Sequence, residues 1–385
     1  MTAWGIVKNF LDQDITFILV LICSIKQKKT EEYNECVRIL KKNKISYKII
    51  FYKEIKKNIF IRSKSLLLSL FSKPDLFFYE QARLKNFLIS FLKKKNIHKI
   101  YVYHFDCLAI CYDLNYEIIA CLGDLIHEPR IQRRNILIKN NLFRHTANYL
   151  DKYISMKVML NMISKVKSAG FYANHYSEQI KKNLPSVNYF KTSIVKPKNK
   201  CFLIKRVIKK KNFLILGDLH GTVSISSFIF LEKFLKKNYS FLDSSKIKFN
   251  IVGGSKLNEI NENLKKYKII KFLGRSSNVE KHFINNNFLL VLNTIELGIR
   301  VRIITALSFG SVVISNKVNA KGIPELIHKK NCLLFCTQKE LISIINDLNN
   351  NKINLSIIQK NAIKTFNNNF YYPEALKDLE TKILN

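Results

Sequence analysis

The chain has 385 residues, 47% of them hydrophobic, a length that suggests two domains and a composition that excludes wholesale disorder. Its 65 Lys+Arg against 28 Asp+Glu give a formal charge of +37. Such a balance favours polyanionic partners, although a lysine- and asparagine-rich composition spread over every exposed face explains it equally well.

In chain order, AWGIVKNFL reads as a helix and Thr16–Ile25 as a buried strand, since that apolar run falls short of the roughly 20 residues that cross a bilayer and has no signal-peptide flanks. Strand signals cover 15–22, 46–52, 99–105, 116–124 and 166–173, and helical signals cover 31–43, 63–95, most of the stretch to about 165, and 176–184. Residues 191–212 are basic, hold a proline and read as a linker. Alternation restarts with strands at 212–221, 248–255, 267–275, 288–293 and 311–316, and helices at 226–236, 256–265 and 277–286. The pattern predicts an α/β protein with parallel sheets and helices on their faces. Three apolar strands end at Gly217, Gly253/Gly254 and Gly274, and ligands of open α/β sheets sit outside the carboxyl ends of strands.

The eight cysteines form no CxxC pair. Cys107/Cys111 and Cys332/Cys336 lie in apolar surroundings, so they read as buried reduced thiols rather than metal ligands. No metal or bound cofactor is expected.

The stretch ELGIRVRIITALSFGSVVIS, Glu296 to Ser315, follows the strand FLLVLN and reads as a glycine loop, an amphipathic helix and a buried strand. The first N–H groups of a helix lack partners and its dipole is positive there, so an anion fits. Gly298 allows close backbone approach, and Arg300 and Arg302 add forks suited to phosphate oxygens. Their i, i+2 spacing keeps both from facing one way, so Arg300, nearer the turn, is the expected phosphate contact. Glu296 is an acceptor placed for hydroxyls. Phosphate plus hydroxyls describes a nucleotide sugar; the alternative is an arginine pair on a solvated helix face.

These residues, with KGIPELIHKKNCLLF after them, resemble the donor-site signature of the family 4 (group 1) glycosyltransferases of GT-B fold. The likeness covers about Phe213 to Phe335, where LILGDL, FNIVGG, IIKFLGR and FLLVLN are similar to the family's successive strands. It implies two Rossmann-like domains facing a central cleft: an acceptor domain over 1–190, a donor domain over 213–368, and a helix over 369–385 crossing back. It further implies metal-independent, retaining transfer from a nucleotide-sugar donor to a glycan or lipid-linked acceptor, in bacterial surface polysaccharide synthesis. Gly217, Arg275, Gly298, Ile299, Arg300, Arg302 and Thr305 become donor-site candidates, with Glu296 at the sugar. The sequence departs from the family at Thr305, where a glutamate is usual, and after the first donor-domain strand, where Asp218 and His220 stand in place of a basic pair; Arg275 is a candidate for the missing charge.

On the acceptor side, Asp124 and His127 are candidates to orient a hydroxyl or the sugar, and Arg130 and His104 to hold phosphate or acceptor. Each has a plainer reading as a helix cap or solvated residue. Such domains open with a strand ahead of the first helix, so the chain is expected to lack its first strand. The protein is expected to be cytoplasmic, with its basic surface against the anionic inner leaflet. A degenerate GT-B protein that binds nucleotide or a partner without catalysis is the main alternative, and among enzymes a sugar-nucleotide epimerase is a minor rival. A nucleic-acid binder fits less well, because no basic-aromatic motif appears and the lysines are dispersed.

Overall fold

The structure, a computed structural model, describes residues 4–53, 67–74, 81–196, 211–217, 221–253, 259–276, 278–286 and 288–384. It divides into two compact units. One gathers Ser193–Leu376 with Met1–Gly5 and Gln132–Leu137, and the other holds Ile6–Ile131, Ile138–Thr192 and Lys377–Asn385.

In the second of these, a helix Trp4–Asp12 precedes β1 (Leu19–Ser24), which pairs in parallel with β2 (Tyr47–Tyr52). A four-stranded parallel sheet follows in the order β3 (Lys99–Tyr103), β4 (Glu117–Leu122), β5 (Ser168–Phe171) and β6 (Asn188–Tyr189). β4 is buried from Ile118 to Leu122, the near-continuous apolar run that a parallel strand covered on both faces requires. The C-terminal helix Lys377–Leu384 groups with this unit, where Lys99 Nζ donates to the Ile383 carbonyl at 2.8 Å.

The other unit carries a six-stranded parallel sheet made from β7 (Asn212–Leu216), β8 (Lys248–Val252), β9 (Ile270–Phe272), β10 (Phe288–Val291), β11 (Val312–Asn316) and β12 (Leu333–Phe335). Their spatial order is β12-β11-β10-β7-β8-β9. The chain therefore runs outward from β7 in one direction, returns, and runs outward from β10 in the other. The gap between the carboxyl ends of β7 and β10 is a topological switch point. Phe213 sits between Phe249 and Phe288 with ring centroids 5.6 and 5.0 Å away, an aromatic ladder across the three central strands. Each such pair adds about 1 kcal/mol beyond its buried area.

Several boundaries differ from those expected. The strand over 99–105 stops at Tyr103, because His104 takes φ 73° and turns the chain into a helix at Phe105–Cys111. The helical region over 63–95 is interrupted at 71–74 and resumes at Gln81–Lys94; 54–66 and 75–80 lie outside the described residues. The helix expected at 226–236 spans Thr222–Ser244, and its early serines are tolerated because Ser226 and Ser227 both donate to the Val223 carbonyl. The helix expected at 176–184 spans Asn174–Lys181, with Ala173 as its N-cap. Cys336 is exposed, so not every thiol is buried; burial pushes Cys107 and Cys332 up to about 12.

Candidate functional site

Three strand ends meet at glycines. Gly217 follows β7, Gly253 follows β8 with its N–H on the Gly274 carbonyl at 2.8 Å, and Gly274 follows β9. A Cβ on Gly253 would lie 1.7 Å from the Gly217 carbonyl oxygen, so the two backbones pass in contact and only glycine fits. Asp218 and His220, expected beside this turn, lie outside the described residues.

A Cβ on Gly217 would in turn meet Arg302 Nη1 at 2.7 Å and Ser224 Oγ at 2.8 Å. The Arg302 guanidinium therefore lies over the end of β7, at the first turn of the helix Thr222–Ser244. Arg302 stands in the first turn of the helix Val301–Ser308, whose N-cap is Arg300. Long side chains lean toward a helix N-terminus, which carries this one toward the switch point. Burial, then the neighbouring Arg300 charge, pushes Arg302 down to about 10, so it remains cationic at neutral pH. Two guanidiniums repelling each other at a positive helix end form a place that an anion stabilises. Arg300 was the expected phosphate contact; the side chain that lies on Gly217 is Arg302, with Arg300 at the N-cap of the same helix.

The loop between β10 and this helix is fixed from below. Asn293, fully buried, donates to the Ile295 carbonyl at 3.1 Å and to Asn319 Oδ1 at 2.9 Å, and Asn319 donates to Ser315 Oγ at 3.0 Å. Gly298 takes φ 32°, and a Cβ on Gly322 would come 2.1 Å from its carbonyl oxygen. Ile299 is half-buried beside it, and Glu296 pairs with Lys321 at 2.6 Å. Arg275 is exposed in the loop after β9.

Thr305 lies one turn beyond Arg302 on the same helical face. Its hydroxyl donates to the Val301 carbonyl at 2.9 Å and accepts a hydrogen bond from Lys196 Nζ. Lys196 is clamped by its backbone, with its N–H on the Phe370 carbonyl and its carbonyl accepting from Tyr372 N–H. Burial pulls its ammonium below the usual lysine range, opposed by Glu280. A threonine thus stands with a cation where the resemblance places a carboxylate. Lys196, Ser224, Asn293, Asn319 and Lys321 were not singled out in the sequence; only the asparagine ending the strand FLLVLN and the second asparagine of the NKVNA turn offered a signal.

In the unit containing β3 and β4, the two strand-end loops bring His104 against Gly123, where an added Cβ would be 2.9 Å from His104 Cε1. Burial lowers His104, opposed by the charges of Asp106 and Asp124. Asp106 is raised by its own burial. His127 is 0% exposed, with Nε2 3.4 Å from Glu128 Oε1, so its ring faces the interior. Arg130 is committed to Asp151, Nε to Oδ2 at 3.2 Å, and to Ser155 Oγ at 2.6 Å. Geometry therefore favours Asp124 and His104 over His127 and Arg130 for direct contact with a ligand. Among the described residues no three His, Cys, Asp or Glu side chains are grouped to hold a metal ion.

Comparison with known proteins gives a family match over residues 210–351. That region matches the family Glycosyl transferases group 1. The chain has the fold of the GT-B glycosyltransferases, with two Rossmann-like units. A glycosyltransferase from Rickettsia africae superimposes with a TM-score of 0.65 at 14% identity, covering 100% of this chain and 94% of that one. A TarM variant from S. aureus, in complex with fondaparinux, alpha-GlcNAc-glycerol and UDP, gives 0.68 at 13%, covering 99% and 95%. Anabaena HepE in complex with UDP-glucose gives 0.68 at 11%, covering 100% and 96%. Comparison with curated protein sequences gives no match.

Proposed function

We propose that the protein is a glycosyltransferase that moves a sugar from a nucleotide-sugar donor to a glycan or lipid-linked acceptor, with retention, in the synthesis of a bacterial surface polysaccharide. The observation that carries the reading is the Arg302 guanidinium over Gly217 at the switch point, beside the N-terminus of Val301–Ser308. In the transfer, the bond from the anomeric carbon to the phosphate oxygen breaks and a bond to the acceptor oxygen forms. The acceptor hydroxyl loses its proton, and a nucleoside diphosphate leaves with the extra negative charge. Arg302, Arg300 and the helix N–H groups would hold that charge as it develops, the kind of fixed electrostatic stabilisation that lowers a transfer barrier. Glu296 would take sugar hydroxyls, and Asp124 and His104 would serve the acceptor. No metal is required by this scheme.

Uridine donors are the first to test, because the TarM and HepE structures hold UDP or UDP-glucose. The test is thermal unfolding against UDP-, GDP-, ADP- and CMP-sugars, followed by a transfer assay with the class that stabilises. A ligand at a hundredfold over its Kd adds about 2.7 kcal/mol. Stabilisation by one class and release of its nucleotide support the reading; a folded protein indifferent to all four classes refutes it. The pairing of Thr305 with Lys196 favours one second reading, a protein of this fold that binds nucleotide without turnover. Binding without sugar release or transfer would select it.

A further inference from the structure

The helix Leu142–Ile163 is packed at one end and uncovered at the other. Its C-terminal half buries Ser155, Val158, Met159, Met162 and Ile163. Its N-terminal half presents Leu142 at 81% exposure, Phe143 and Tyr149 at 70%, Leu150 at 49% and Tyr153 at 48%. The spacings 142, 149, 153 and 143, 150 put these side chains in one stripe over three turns. Single exposed apolar residues are ordinary, but five on one helical face form a patch that needs an occupant.

The charge around the stripe points to what that occupant is. Tyr149 and Tyr153 stack at 6.4 Å, and Lys157 Nζ lies 4.6 Å over the Tyr153 ring. Lys152 on the same helix and Lys139, three residues ahead of its start, are exposed. The helix contains a single acid, Asp151, and Arg130 already holds it. The stripe is therefore aliphatic and aromatic, rimmed by lysines, without a free carboxylate. Aromatic and aliphatic side chains at headgroup depth with lysines at the phosphates describe a helix lying in an anionic interface. A second copy docked face to face would set this lysine rim against its own, with no free carboxylate on the helix to offset it. A nucleic acid would need a groove to track its backbone, whereas this stripe lies along one exposed helix. No described helix is long and apolar enough to cross a membrane, so insertion is shallow.

We infer that the exposed face of Leu142–Ile163 docks the protein on an anionic lipid surface, with Phe143, Tyr149 and Tyr153 inserted and Lys152 and Lys157 at the phosphates. This face stands apart from the nucleotide-binding reading and does not depend on it.

The experiment is co-flotation of the full chain with vesicles of phosphatidylcholine alone and of phosphatidylcholine with phosphatidylglycerol. The variants are Phe143→Ser/Tyr149→Ser/Tyr153→Ser, whose charge is unchanged, and Lys152→Gln/Lys157→Gln. The wild type is expected to float only with anionic vesicles, and the aromatic variant to lose about tenfold or more in partitioning at an unchanged melting temperature. The lysine variant is expected to weaken partitioning by a smaller factor. Equal flotation of wild type and aromatic variant would mean diffuse charge alone does the docking, and would overturn the inference. So would failure of the wild type to float, a concentration-dependent dimer lost in the aromatic variant, or oligonucleotide binding lost in it without vesicle binding. UDP-dependent stabilisation of the same variants keeps this result separate from the donor-site reading.

Discussion

Lys196 donates a hydrogen bond to Thr305 Oγ1, joining the segment that enters the six-stranded unit to the helix that carries Arg302. The Lys196 backbone is fixed by hydrogen bonds to the Phe370 carbonyl and from the Tyr372 N–H, which anchors the root of the side chain beside this helix. The helix face from Arg302 to Thr305 therefore carries two cations one turn apart.

That pair sets up a mutant cycle. Thr305→Val removes the acceptor and leaves a partly buried ammonium without it, which should cost about 1–3 kcal/mol. Lys196→Met removes the charge along with its need for a partner, and should be close to neutral. The double variant should recover most of the Thr305→Val loss. Denaturant unfolding of the four proteins checks this; additive losses would show that the two groups do not interact.

The glycine contact between β7 and β8 makes a second prediction. Gly253→Ala forces a Cβ to within 1.7 Å of the Gly217 carbonyl at a φ of +143°, and should destabilise by at least about 2 kcal/mol. Gly274→Ala meets nothing within 4 Å and carries only the backbone penalty of φ +69°, about 1 kcal/mol. Melting temperatures in which Gly274→Ala is the more damaging would contradict this packing.

His104 gives a pH dependence with a definite sign. Burial lowers its folded pKa below the ordinary value of about 6.5, so the unfolded chain binds the proton first as pH falls. Stability contributed by the neutral ring is present above that value and is lost as pH drops toward the folded pKa. The wild type should therefore lose more melting temperature between neutral and mildly acidic pH than His104→Gln does. Parallel pH profiles for the two proteins would contradict it.

The repeated strand, helix and glycine-turn pattern made the parallel sheets legible in the sequence, because a covered parallel strand reads as one apolar run. Gly217, Gly253 and Gly274 were likewise readable as strand ends. The contact between Gly217 and Gly253, and the reach of Arg302 onto Gly217, were not, since both join residues from different strands and helices. Choosing Arg300 as the phosphate contact rested on its nearness to the turn, whereas the reach of Arg302 follows from the backward lean of side chains along a helix. Lys196 was one lysine among many in a basic stretch, and only its backbone clamp distinguishes it. His127 and Arg130 looked polar and available, but burial and Asp151 occupy them.

The central claim is an anion site at Arg302, and calorimetric titration of UDP into the wild type, Arg302→Gln and Arg300→Gln tests it most directly. Loss of one charge-assisted contact is worth about 1.5–3 kcal/mol, roughly tenfold or more in Kd. The account predicts measurable binding by the wild type, weakened at least about tenfold in Arg302→Gln and less in Arg300→Gln. Unchanged affinity in a folded Arg302→Gln variant would contradict it.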